Sequence, residues 1–403
     1  MKQSAEAEAE LKDGFERLTN KGWLYAAIEL YLEKRSPADT LSITPDIRSS
    51  GYPIGKIFSS GVLHMTTLAR AALTLLLATS SAHASDKIVQ IVVPSEQHAP
   101  AQACADALMN SRSALPDAKD ATFEVKTWDA AKNDPRKPVR IEIDTESTKL
   151  ALTGIPFVFR DAQHFQAYLT SDLFQSMRRR LPGDVVAIAY GGFFQLFSRI
   201  AALTEPKHLY GRTIGGDARA MMVYHEFGAK AGQGALASIM DMVDLDTDFR
   251  WMREGHIWGQ IVEAPLAQAA DNAVRSARYV SLISSVVQPI YIKADEEYRA
   301  WAQDAAIACS ATNYDAELKV LDRLKQAGLT IVPFNRNALV ETGWRIAVTM
   351  DHPYWTIAEF DRVVQLAGGT KGVPLPSEIV AKLPPKQRRE ALKLDKEAIK
   401  ETQ

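Results

Sequence analysis

His225-Glu226-Phe227-Gly228-Ala229 begins like a zinc-protease helix, where two histidines one turn apart hold the metal and the glutamate acts as base. Ala229 stands where the second histidine belongs, so the segment reads as a surface helix pair. Asp241, Asp244, Asp246 and Asp248 cluster like calcium ligands. Counted from Asp244, however, the loop has Phe249 in place of the required glycine and Gly255 in place of the closing glutamate. It reads as a solvated turn. Gly211-Arg212-Thr213-Ile214-Gly215-Gly216 lacks the Lys-Ser/Thr of a phosphate loop, and no Gly-x-Ser-x-Gly elbow occurs. The sequence thus points away from an enzyme and calls for neither a cofactor nor a metal. Phe193, Phe194, Phe197, Trp251 and Trp258 are different: such rings either pack a core or stack on the apolar face of a ligand.

The elements that position these residues belong to a chain of 403 residues, 46% apolar and 24% charged, which is ordinary globular composition. Basic and acidic residues number 47 and 49, so no global field favours nucleic acid as a partner. Cys104 and Cys309 fit no zinc or redox spacing. They read as small buried apolar residues, with pairing left open for an oxidising compartment.

Residues 65–84 carry Arg70, an apolar run from Ala71 to Ala78, and Ala82-His83-Ala84, the layout of a secretory signal. The run is shorter than the about 20 residues that span a bilayer. Met65 therefore reads as the true start, residues 1–64 as an upstream extension from a mis-assigned start, and the product as periplasmic. Within that extension, residues 1–35 show helical periodicity and 36–64 read as irregular.

Lys87–Val93 is a near-continuous apolar run closed by Pro94, as suits a strand buried on both faces of a parallel sheet. A helix over Ala101–Met109 and an alternating strand over Phe123–Trp128 complete a β-α-β opening, which predicts an α/β fold with its site beyond the strand C-termini. Val139–Ile143 and Val185–Tyr190 read as further strands, and Ala162–Leu181 as one helix with a basic end. Lys293–Gln326 holds no Gly or Pro and predicts a helix of about 50 Å, suited to a bar shared by two lobes. Lys382–Gln403 reads as a solvated, charged tail.

Several segments, in order, resemble the solute receptors of tripartite ATP-independent periplasmic (TRAP) transporters, dicarboxylate-receptor type. They are Gly154–Asp161, Tyr190-Gly191-Gly192-Phe193, Pro206 with Leu209 and Gly211, Gly255–Gln260 with Pro265, and Tyr279–Leu282 followed by Pro289 and the long helix. The resemblance covers roughly 86–335. It implies a two-lobed periplasmic-binding-protein-like α/β fold with a long helix bridging the lobes. Residues 85–189 with 280–327 would form the first lobe, 190–279 with 328–375 the second, and 376–403 the tail. It also implies a small organic solute held between the lobes and a TRAP-type membrane permease as partner.

The departures from that pattern shape the expected ligand. The arginine usually found in the strand after Gly211 falls on Gly215, the one after the crossover on Phe194, the histidine before the long helix on Ser285, and an aspartate on Trp258. Two lost guanidinium–carboxylate pairs argue against a standard C4-dicarboxylate. Arg219 would reach the site only through a turn at Gly215-Gly216. The expected ligand-binding set is Phe194, Gln195, Arg219, Trp258, Gln260, Glu263 and Ser285, with Gln260 and Glu263 as polar anchors suited to a cationic or hydroxylated solute. Trp128–Gly154 is too short for the helix, strand and helix the family places there. A degenerate, weakly binding relative with a structural or sensory role is the alternative.

Overall fold

The computed structural model describes residues 87–401 except 97, 116–120, 137, 146–150, 182–183, 233–244, 257–259, 351, 353 and 369. The extension and the signal-like segment lie outside the described residues. The apolar run becomes β1 (Lys87–Val93), followed by α1 (Ala99–Ser111), β2 (Ala121–Thr127), α2 (Trp128–Lys132) and β3 (Val139–Asp144). The span judged too short therefore holds a helix and a strand. Its third element among the described residues is a 3₁₀ turn at Leu152–Gly154, a more compact solution than a second helix.

The single helix expected over 162–181 is two, α3 (Ala162–Leu169) and α4 (Asp172–Arg178). Ser171 breaks it: its hydroxyl caps α4 by accepting from Phe174 N–H at 3.2 Å, an alternative the backbone takes over continuing the helix.

Next comes β4 (Val185–Ser198), at 14 residues long enough to serve both halves of the molecule. β5 (Thr213–Gly215), α5 (Ala218–His225), β6 (Lys230–Ala231), α6 (Leu245–Glu254), β7 (Ile261–Pro265), α7 (Leu266–Ser276), β8 (Tyr279–Leu282) and β9 (Val287–Lys293) follow. The strand order is β2-β1-β3-β9-β4-β7-β5-β6. β1 runs parallel to β2 and β3, and β5 runs parallel to β7 and β6; β9 and β4 are the antiparallel joint between these halves. Val185–Tyr190 pairs with β9, whereas Phe194–Ser198 pairs with β7 and β8. Between them the register shifts at Gly191-Gly192. A Cβ on Gly191 would lie 2.7 Å from Gln288 O, and Gly192 has φ +119°, so only glycine fits this crossing.

The long helix is α8 (Arg299–Gln326), about 42 Å long. It begins six residues later than expected. Val287–Lys293, rich in β-branched and aromatic residues, extends β9 between β3 and β4 instead, and a 3₁₀ turn at Glu296–Tyr298 leads into the helix. Trp301, Ala302, Ala305 and Cys309 of α8 pack with β1, β3 and α1, while Leu324 joins Phe197, Phe249 and Val262 of the other half. One helix is thus cemented into both lobes, as expected for a two-lobed fold with a bridging strut.

Cys104 and Cys309, whose pairing the sequence left open, form a disulfide between α1 and α8 with Cα atoms 4.7 Å apart. The remaining elements are β10 (Thr330–Pro333), α9 (Asn337–Ala347), α10 (Ile357–Gln365), α11 (Pro376–Lys382) and α12 (Pro385–Glu401). The last two are not a free tail. Ile379, Val380, Leu383 and Ala391 are buried in the largest core, and Asp395 accepts from Ile357 N–H at 2.6 Å. Charge on one face of α12 hid the small apolar residues on the other. No helix among the described residues is long and apolar enough to cross a membrane.

Candidate functional site between the lobes

β5 and β7 run side by side, and buried polar residues gather at their C-terminal ends. Glu263 of β7 is fully buried. Its Oε1 accepts from Tyr224 OH at 2.6 Å and meets Ser285 Oγ, and its Oε2 accepts from Asp217 N–H at 3.1 Å. Burial first, then the nearby Asp217 carboxylate, push its pKa up to about 8. At neutral pH it is therefore mainly the uncharged acid. Ser285 Oγ donates to Glu263 Oε1 and also lies 3.5 Å from Phe194 O. Gly216 makes room for this carboxyl: at φ +152°, a Cβ there would lie 2.4 Å from Glu263 Cβ.

That same glycine supplies the turn on which Arg219 depends. Asp217 caps α5, and Arg219, in its first turn, donates back to Asp217 from its backbone N–H (2.8 Å), Nε (2.8 Å) and a terminal nitrogen (2.5 Å). Burial would raise the Asp217 pKa, but the guanidinium outweighs it and holds the carboxylate below its usual range. Burial disfavours the Arg219 charge, but Asp217, and to a lesser degree Tyr291 and Glu263, favour it and raise its pKa. Tyr291 OH lies 2.8 Å from Thr153 Oγ1, in the turn beyond β3. Arg219 lies just beyond the C-terminal end of β5, the kind of position from which open α/β sheets bind ligands.

The structure gathers part of the expected set. Glu263 and Ser285 touch; Phe194 is tied to Ser285, whose N–H donates to Phe194 O at 3.3 Å. Gln195 is nearly buried and holds the adjoining Ser284, accepting from its N–H at 3.0 Å. Gln260 stands apart. It accepts from Thr213 N–H at 3.4 Å, in the bend that precedes β7. Trp258 lies outside the described residues. Glu263 is not the open anion the sequence suggested, because its oxygens are taken up inside the protein. Phe193 and Phe197 are core residues, and Asp248, read as part of a solvated turn, is a buried residue of α6.

Arg336 was not anticipated. It donates to Ile283 O (3.2 Å), Ser284 O (2.7 Å) and Phe159 O (3.1 Å), and burial lowers its pKa to about 10. Two residues beside it, Phe157 (φ +63°) and Ser284 (φ +48°), hold left-handed backbone that costs side chains of this kind energy. Phe157 N–H donates to Ser285 O at 2.6 Å, so Arg336 pins two strained loops together at the junction of the lobes. No motif marks it. The reach of an arginine to three carbonyls is a tertiary fact. Among the described residues, no group of three or more His, Cys, Asp or Glu is placed to hold a metal.

No family model matches the sequence, and no curated protein matches it. Solved structures do. A TRAP periplasmic solute-binding protein from Polaromonas, bound to D-erythronate, aligns with TM-score 0.53 and 14% identity over 70% of this chain and 99% of its own. One from Citrobacter koseri with bound D-glucuronate gives 0.52 and 15% over 69% and 99%. One from Bordetella bronchispeptica, with density interpreted as pantoate, gives 0.52 and 17% over 70% and 99%. At such identities the likeness establishes the fold alone, that of two α/β lobes.

Proposed function

We propose that this chain, built on the fold of the TRAP periplasmic solute-binding proteins, is a periplasmic receptor that closes its two lobes on a small organic solute and delivers it to a TRAP-type membrane permease. The observation that carries this reading is the grouping of the Arg219–Asp217 pair with the Glu263, Tyr224 and Ser285 network at the C-terminal ends of β5 and β7, beside one helix that packs into both halves. Closure then follows from tighter solute binding in the closed state. A disulfide between α1 and α8 supports an oxidising compartment, in keeping with the signal-like segment at 65–84.

The charge balance supports a solute other than a standard C4-dicarboxylate. Gly215 and Phe194 replace the two expected arginines, and Asp217 already neutralises Arg219. Glucuronate, erythronate and pantoate, bound by the similar structures, each combine one carboxylate with hydroxyls. A solute of that class needs one guanidinium and several neutral hydrogen-bonding groups. The self-contained Arg219–Asp217 pair favours a second reading, a receptor-like protein that binds weakly and serves a structural or sensory role.

A thermal-shift screen of hydroxy acids, amines and aromatic compounds separates the two. A solute at 100 times its Kd is expected to add about 2.7 kcal/mol of stability. Arg219→Gln is expected to erase most of that gain. No shift across the panel favours the weak-binding reading.

A further inference from the structure

At the far end of the second lobe's sheet, away from the Glu263 and Arg219 groups, cations stand in a row. β5, β6, β7 and β8 all begin at this end and β4 finishes there, because β4 runs antiparallel to β7 and β8 while β5 runs parallel to β6 and β7. Arg278 leads into β8, and its N–H donates to Ser198 O at 2.9 Å, which sets it beside Arg199 at the close of β4. Arg212 leads into β5, and Lys230 opens β6 with its N–H on Arg212 O at 2.7 Å. Arg199 donates to the carbonyl of Arg253, in the last turn of α6, at 2.6 Å, and Arg275 stands in the last turn of α7, just before β8. Gln260, before β7, is the neutral interruption. Among the described residues none of these five arginines has a carboxylate partner; Arg275 bonds Asn272 Oδ1. Carboxylates close by in the chain are already engaged, Glu205 by Lys207, Glu226 by Arg345, Glu254 by His256 and Asp271 by Arg323.

Two large apolar side chains stand among these cations. Ile200, next to Arg199, is 50% exposed, and Tyr210, two residues before Arg212, is 77% exposed. The Tyr210 ring rests on Gly228, where a Cβ would come within 2.5 Å of it, so glycine there makes the seat on which the ring stays outside the core. The chain as a whole carries a net charge of -2, so this end is a local concentration of positive charge and not a sample of an overall excess. We propose that this end of the sheet is a membrane-contact face that seats the protein on anionic phospholipid. Guanidinium forks match phosphate oxygens, and a tyrosine with an apolar body and a polar tip suits the headgroup level. A bare polyanion would match the arginines and leave Ile200 and Tyr210 in water, whereas a bilayer surface covers both. The face lies at the opposite end of β5 and β7 from the candidate solute site, so occupying one leaves the other free. The inference requires only the fold and this surface, and it stands or falls separately from the solute reading.

The test is co-sedimentation of the full chain with vesicles of phosphatidylcholine alone and of equimolar phosphatidylcholine and phosphatidylglycerol. The quantity read is the ratio of the two partition coefficients, so that any apolar insertion common to both vesicles cancels. The parent is expected to prefer the anionic vesicles by at least about tenfold, and added salt to shrink that preference. Arg253 and Arg278 have exposed side chains, and the double variant Arg253→Glu/Arg278→Glu is expected to lose the preference. Lys386→Glu/Lys393→Glu changes net charge equally on the exposed side of α12, and it is expected to stay within about twofold of the parent. Tyr210→Ser is expected to weaken binding to the anionic vesicles about threefold or more. Matching melting temperatures show that the variants are folded. A parent without preference overturns the proposal, including the case in which the face proves to hold an acidic protein instead. Equal losses in the two double variants overturn it too, because net charge alone would then explain the attraction, as does a Tyr210→Ser chain that binds like the parent.

Discussion

Cys104→Ser and Cys309→Ser variants are expected to melt on the order of 5–10 °C below the parent chain, and a reductant is expected to lower the parent melt to the same level. The reason is chain entropy. The bridge joins residues 205 apart in sequence, so it denies the unfolded chain a large share of its conformations, a term typically of about 2–4 kcal/mol. For a domain of this size each kcal/mol moves the midpoint by a few degrees. The site raises the stake further, because the bridge fixes α1 to α8 at the seam where Asn313 also donates to Pro100 O at 3.3 Å. Scanning calorimetry with and without reductant checks this. Coincident melts would mean that the bridge does not form in solution.

Glu263 is expected to make stability depend on pH in an unusual direction. Its carboxyl has an ordinary value of 4.5 and is raised to about 8 in the folded protein. Between these values the native state keeps a proton that the unfolded chain has released. This contribution is therefore fully present below about pH 4.5 and is lost as pH rises through 8, a change of roughly 3–5 kcal/mol. Other groups add their own slopes: buried His98 and His164, lowered mainly by burial, lose stability in acid, whereas Glu317, raised by burial, slopes as Glu263 does. The informative quantity is consequently the difference between the parent chain and Glu263→Gln. Denaturant unfolding from pH 5 to 8.5 should show the parent falling relative to the variant, with most of the gap closed or reversed by pH 8.5. A constant difference across that range would show that Glu263 is ionised throughout.

Local patterns carried much of the fold. The apolar run at Lys87–Val93, the two-glycine crossing in β4 and the punctuation-free stretch ending at Gln326 each report a constraint that acts within a few residues, so each is legible. What failed was decided by competition. Thr170-Ser171 has adequate helical periodicity, yet the Ser171 cap divides the helix. Lys293–Tyr298 holds no helix breaker, but Lys293 closes β9 and Glu296–Tyr298 turns as a 3₁₀ helix, so the long helix begins only at Arg299. The site followed the same division. Glu263 and Ser285, both in the expected set, do touch, and the dependence of Arg219 on a turn at Gly215-Gly216 could be stated in advance. That Asp217 neutralises it, that Glu263 is an uncharged buried acid, and that Arg336 pins two loops depend on tertiary contacts that no spacing encodes.

Small-angle scattering of the chain with and without a solute drawn from the thermal-shift screen bears most directly on the claim that a solute closes two lobes. A smaller radius of gyration on saturation in the parent chain, and none in Arg219→Gln, is the predicted result. A solute that binds without contraction, or equally well to the Arg219→Gln protein through the surface groove lined by Gln102, Asp106 and Thr312, would contradict it.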